Sequence, residues 1–121
     1  MKKILLVEDD PFLSSLLRNR IQREGFEVGL VKNGEEALGA MKETIPDLVL
    51  LDLILPGKSG FEVLEDIKAD PQAPRVPVII ISNLGQDTDV ARGKALGASD
   101  YLVKANISID ALVSRAKEFL A

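Results

Sequence analysis

Five short strand-like runs, each followed by a stretch with helical spacing, constrain this chain more than any other feature. They are Ile4–Val7, Phe26–Val31, Leu48–Leu51, Val76–Ile81 and Ser99–Val103. The plainest is Leu48–Leu51, which follows the turn signal Pro46-Asp47 and ends on the carboxylate of Asp52. An apolar run without polar alternation is the pattern of a strand buried on both faces, as inside a parallel sheet. Phe26–Val31 is less apolar and reads as lying nearer an edge. Strands alternating with helices imply an α/β fold: a parallel sheet with right-handed crossovers and helices on both faces.

The helical stretches carry their own start and stop signals. Pro11 suits a first helical turn capped by Asp10; Leu13, Leu16, Leu17 and Ile21 follow at helical spacing, and Gly25 stops the helix. Asn33-Gly34 precedes a second helix with Ala37, Leu38 and Met41, which Pro46 ends. A third, from Phe61 to about Ala69, places Phe61, Leu64 and Ile67 on one side. Asp70–Arg75 is a proline-rich loop, and Pro77 is tolerable near the start of the fourth strand. The fourth helix, about Thr88 to Leu96, is the weakest: it has Gly93 in its interior at a cost of roughly 1 kcal/mol relative to Ala, and is expected to be comparatively mobile. Ser108 caps the last helix, with Ile109, Leu112, Val113, Ala116, Phe119 and Leu120 at helical spacing.

At 121 residues the chain fits one domain, which hides roughly two-thirds of its unfolded surface on folding. It has no cysteine and no histidine, so disulfides, thiolate metal sites and imidazole base chemistry are excluded. Chemistry must rest on carboxylates, hydroxyls, amines and backbone. Fifteen Lys+Arg against nineteen Asp+Glu give a net charge of −4, which argues against nucleic acid as a direct partner. Every apolar run falls far below the ~20 residues of a bilayer span, and the run after Met1-Lys2-Lys3 is too short for a signal-peptide core. The expectation is a soluble, cytoplasmic protein without a membrane partner.

Four of the five strands end in polar groups on one edge: Glu8 and Asp9 after the first, Asp52 after the third, Ser82 after the fourth and Lys104 after the fifth. In a parallel sheet these ends lie side by side, and ligands bind in the crevice where strand order reverses. Taken singly, each has a plainer role. Asp10 caps a helix, Asp52 could close a turn, Ser82 and Lys104 could be ordinary loop residues, and Tyr101 could belong to the core or its rim. Together, three carboxylates in one crevice would raise one another's pKa values unless a cation were present. Mg²⁺, which prefers oxygen ligands and keeps waters for a phosphate to displace, suits such a set. A carboxylate beside it can attack phosphorus to form an aspartyl phosphate, while a lysine and a hydroxyl bind the phosphoryl oxygens.

Ile4–Asp9, the strand ending in Asp52 with Pro56-Gly57 after it, Ser82 after an Ile-rich strand, and Asp100-Tyr101-Leu102-Val103-Lys104 resemble the receiver domain of bacterial two-component response regulators. The resemblance covers nearly the whole chain. It implies a flavodoxin-like (βα)5 doubly wound sheet whose order, 2-1-3-4-5, comes with the family. It also implies that Asp52 accepts a phosphoryl group from a histidine kinase or phosphotransfer protein. Glu8, Asp9, Asp52 and the backbone carbonyl of Ile54 hold Mg²⁺, with Asp9 the more direct ligand of the first two. Lys104 and Ser82 bind the phosphoryl oxygens. Tyr101 turns inward into space Ser82 vacates, altering the face of the fourth helix, fifth strand and fifth helix. That face then controls a downstream target or output domain, in a monomer or a weak homodimer formed through it. The expected domain is a single receiver over residues 1–121 with no output domain in this chain, acting as a switch and not as a turnover enzyme.

Three departures from the family pattern matter. Ala105 stands where proline usually follows the lysine, so a cis bond there would cost roughly 2.5–4 kcal/mol. Asn83 replaces a small residue after the switch hydroxyl. Ile54 and Leu84, two positions beyond Asp52 and Ser82, are apolar and would not orient an attacking water, which predicts a long-lived phosphorylated state. Two rivals remain. A phosphatase or phosphotransferase with an aspartyl nucleophile would usually carry a second acid where Ile54 stands. A degenerate receiver serving only as an interaction module would not need the intact set Asp9, Asp52, Ser82 and Lys104.

Overall fold

The computed structural model describes residues 1–72 and 75–121; of the expected Asp70–Arg75 loop, Ala73 and Pro74 lie outside the described residues. The strands are β1 (Lys3–Val7), β2 (Glu27–Val31), β3 (Leu48–Leu51), β4 (Val78–Ser82) and β5 (Asp100–Val103). They pair in parallel in the order β2-β1-β3-β4-β5, as the resemblance implies. The helices are α1 (Pro11–Arg23), α2 (Gly34–Glu43), α3 (Gly60–Ala69), α4 (Asp87–Ala95) and α5 (Ile109–Leu120).

Strand side chains alternate between two apolar layers, because successive residues point to opposite faces. Leu5, Val7, Val49, Leu51, Val78, Ile80 and Tyr101 meet Ala37 and Met41 of α2 and Phe61, Val63, Leu64 and Ile67 of α3. On the other face Ile4, Leu6, Leu48, Leu50, Ile79, Ile81 and Leu102 meet Leu17 and Ile21 of α1 and Leu112, Val113, Ala116 and Leu120 of α5. β3 and β4 are buried along their whole length, whereas β2 is an edge strand and only partly covered, as its lower apolar content implies.

The starts of α1 and α5 follow the expected chemistry, and the structure adds side-chain caps at the starts of α2 and α3. Asp10 accepts from the backbone N–H groups of Phe12 and Leu13 with Pro11 in the first turn, and Asn33, Ser59 and Ser108 cap α2, α3 and α5. Gly25 adopts φ 93°, the left-handed conformation that ends α1. Most boundaries shift by a residue or two from the sequence reading, and three differences have a plain cause or add an element. α2 ends at Glu43, before Pro46 could stop it, because Thr44 is already extended. β4 begins at Val78, after Pro77, which lacks the N–H a ladder needs. A 3₁₀ turn, Lys104–Asn106, separates β5 from α5. Leu16, placed on the apolar face by spacing, is 42 % exposed, since Leu17 and Ile21 fill the contact with the sheet. No helix among the described residues is long and apolar enough to cross a membrane.

Candidate functional site

The parallel register brings the carboxyl ends of β1, β3, β4 and β5 to one edge: Val7 lies opposite Leu51, Leu51 opposite Ile80, and Ser82 opposite Val103. The next residue after β1 is Glu8, after β3 Asp52 and after β5 Lys104. Backbone bonds fix the carboxylates there. The Glu8 N–H donates to the Val31 carbonyl at 3.1 Å, and the Asp52 N–H donates to the Val7 carbonyl at 3.0 Å.

Glu8, Asp9 and Asp52 each offer a carboxylate oxygen, and these oxygens lie within 4.8 Å of one another. Glu8 and Asp52 are buried, while Asp9 is exposed at the mouth. Lys104 Nζ stands between the two buried acids, 2.6 Å from Glu8 Oε1 and 3.2 Å from Asp52 Oδ2. Asp52 Oδ1 accepts from the Ile54 N–H at 3.3 Å, and Glu8 Oε2 accepts from the Asp10 N–H at 3.2 Å. Glu8 Oε1, fully buried, has the Lys104 ammonium as its ion-pair partner and no other polar partner among the described residues.

Burial is the main reason that the Glu8 carboxyl is pushed up to about 7; Lys104 opposes the rise and the nearby Asp52 charge adds to it. The mutual repulsion expected of the acids is therefore secondary to desolvation at Glu8. Burial alone would lower the Lys104 ammonium, but its bond to Glu8 and the charge of Asp52 carry it above its usual range. A buried carboxylate oxygen with an open lone pair, in a set made of oxygen donors, fits a hard divalent cation of the Mg²⁺ class.

Ser82 is fully buried at the end of β4, where its Oγ accepts from the Leu84 N–H at 3.2 Å. It makes no hydrogen bond to Asp52 or Lys104 among the described residues. Tyr101 already lies inward, 8 % exposed, and its hydroxyl donates to the Leu84 carbonyl. Burial and the Asp89 charge hold the phenol above its ordinary value, against a lowering contribution from Ser82. The Ile54 side chain is 61 % exposed and Asn83 is exposed at the rim. There is no cis peptide bond among the described residues, so Lys104–Ala105 is trans.

Two glycines belong to the site although spacing did not single them out for it. A Cβ on Gly60 would sit 2.3 Å from the Asp52 carbonyl oxygen and 2.5 Å from Leu53 Cα, so only glycine lets the head of α3 close over the acceptor strand. Its N–H donates to the Leu53 carbonyl at 2.9 Å. The available signal was Ser59-Gly60 at a helix start, where the serine already suffices as a cap. Gly93, which the sequence reads as a weak point of α4, is the buried residue of that helix, and a Cβ there would meet Ile80 Cδ1 at 2.7 Å and Tyr101 Cδ2 at 3.1 Å.

Comparison with known proteins agrees with this geometry. Residues 4–117 match the family model of the response regulator receiver domain. The chain is 41% identical over 120 residues to the phosphate regulon transcriptional regulatory protein PhoB of Rhizobium meliloti (strain 1021), covering 99% of this chain and 52% of that protein. It thus spans about half the length of that relative. The BeF3-activated N-terminal receiver domain of Klebsiella pneumoniae RstA superposes with a TM-score of 0.89 at 31% identity, over 98% of each chain. A response regulator structure from Chloroflexus aurantiacus J-10-fl gives 0.91 at 29% identity, over 98% of this chain and 97% of that one.

Proposed function

The chain belongs to the response regulator receiver domain family, and on that premise we propose that it is a phosphorylation switch with Asp52 as acceptor. The convergence of Glu8, Asp9 and Asp52, with Lys104 paired to the two buried acids, carries this reading. An Asp52 carboxylate oxygen attacks the phosphorus of a partner's phosphohistidine. A P–O bond forms, and the P–N bond breaks with its electron pair going to the imidazole. Lys104, already 3.2 Å from Asp52, stays charged and binds a phosphoryl oxygen, and the Ser82 hydroxyl binds another.

Glu8, Asp9, Asp52 and the Ile54 backbone carbonyl would hold Mg²⁺, with Asp9 the more direct ligand of the first two. When bound, the ion supplies positive charge that offsets the negative charge of the transferring group. The head of α3, pressed on the Asp52 backbone through Gly60, keeps the acceptor in place. The protein acts on itself once per phosphoryl group and does not turn over a substrate. The exposed, apolar Ile54 offers no second acid for an ester hydrolase.

The donor is a histidine kinase or phosphotransfer protein in the cytoplasm. Phe12, 80 % exposed, and Leu16 stand four residues apart on α1 and so share a face, which supplies an apolar docking surface beside the acceptor edge. The output passes through α4, β5 and α5 to a downstream protein, an attached output domain or a second copy. Acetyl phosphate with Mg²⁺ should add one phosphoryl mass to the wild type and none to Asp52→Asn. Equal labelling of the two proteins would overturn the assignment.

A further inference from the structure

We propose that Arg92 is a positioning residue, coupling the placement of α4 to α3 and thereby to Asp52 through its stack on the Phe61 ring. The inference deepens the switch reading and rests on it for its functional meaning. Arg92 Cζ lies 4.2 Å from the centroid of Phe61, whose side chain is 7 % exposed. Arg92 makes no ion pair among the described residues, although Asp87 and Asp89 lie on its own helix. Its charge therefore faces a ring. A planar guanidinium suits that geometry better than a compact ammonium.

α4 is otherwise weakly held. It buries Gly93, tucks Val90 partly against the core, and receives no capping bond from the Gln86 side chain among the described residues. Two of its contacts are adjacent in sequence: Arg92 on Phe61, and Gly93 against Tyr101 and Ile80. On α3 the pair is again adjacent, for Gly60 lies on the Asp52 carbonyl and Phe61 is next. Asp52, Gly60–Phe61, Arg92–Gly93 and Tyr101 thus form a continuous packed route that does not pass through Ser82. If α4 leaves α3, Arg92 loses its ring; if Tyr101 leaves the space beneath Gly93, α4 loses its seat. Both contacts favour the same placement of α4, and an element biased from two sides is what coupling requires.

Tyr101 is the chain's single tyrosine, so 3-fluorotyrosine labels one position in it. Fluorine NMR then reads the ratio of inward to outward Tyr101, first in the protein alone and then with beryllofluoride and Mg²⁺ as a phosphoryl mimic. Arg92→Ala is expected to lower the inward-to-outward ratio roughly two- to fivefold, the range for a cation–π contact at an exposed cation, and to raise the half-saturating beryllofluoride concentration by the same factor. Arg92→Lys should retain part of the effect, and Arg92→Ala should add nothing in a Phe61→Leu background. A ratio and half-saturation unmoved by Arg92→Ala, or moved equally with Phe61→Leu present, would overturn the coupling. Failure of the wild type to take up beryllofluoride, read from the mimic's own fluorine signal, would instead overturn the acceptor reading.

Discussion

Metal-free protein should lose stability as pH rises through neutrality, and Glu8 should be the reason. Its carboxyl is raised from 4.5 to about 7 in the folded state, chiefly by burial. A raised carboxyl means that the folded protein binds its proton more tightly than the unfolded chain does. The contribution is therefore fully present below the unfolded value of 4.5 and is lost as pH rises through about 7. Evaluating the linkage for one group with these two values gives a decline of about 2 kcal/mol between pH 5.5 and pH 8. Because Lys104 stays charged throughout this window, its ion pair does not reverse the sign.

The assay is urea unfolding in chelator at several pH values, on wild type and Glu8→Gln. The glutamine keeps the shape and removes the titration. The variant's absolute stability is not the readout, since it also loses the 2.6 Å contact with Lys104. What matters is the difference between the two curves, which should change by about 2 kcal/mol across the window. Saturating Mg²⁺ should flatten the wild-type curve, because a ligand that binds the ionised carboxylates stabilises the folded state most where they are charged. Parallel wild-type and Glu8→Gln curves in chelator would refute the reasoning.

Three further outcomes follow from contacts in the same region. Gly60→Ala should destabilise by about 3 kcal/mol, since its Cβ meets backbone at 2.3 Å and 2.5 Å, whereas Gly39→Ala, with nothing within 4 Å in the middle of α2, should stabilise by about 0.5–1 kcal/mol; equal urea midpoints would contradict this. Lys104→Met leaves Glu8 without its 2.6 Å cation and should lower metal-free stability by about 1–3 kcal/mol, with recovery on adding Mg²⁺, checked by thermal unfolding with and without the ion. The phosphorylated state should persist well beyond seconds because Ile54 and Leu84 offer no polar side chain to orient water, and loss of label within seconds would refute that.

The sheet was legible because its signals are local. Period-free apolar runs identify β3 and β4, and caps such as Asp10 and Ser108 depend on neighbours no more than three residues away. The edge position of β2 could be inferred from its weaker apolar content for the same reason. The list of acids at the strand ends was legible too, but not their division of labour. Glu8 and Asp9 are adjacent in sequence, yet one is buried against Lys104 and the other is exposed. That difference depends on where β5 places Lys104, a contact spanning most of the chain.

Gly93 shows the same limit from the opposite side. Local propensity charges an interior glycine against its helix, and by that measure α4 is the weakest element. The tertiary structure uses the missing Cβ: Ile80 and Tyr101 occupy the space an alanine would take. The weakness is real in an isolated helix, yet it is also what lets α4 sit directly on the one tyrosine near the acceptor edge. A helix with poor local propensity, held by a glycine seat and an arginine–ring stack, has little to lose by moving and defined contacts to return to. Low intrinsic stability and close fit are therefore two parts of one arrangement in α4, and only the first can be read without knowing what lies beneath Gly93.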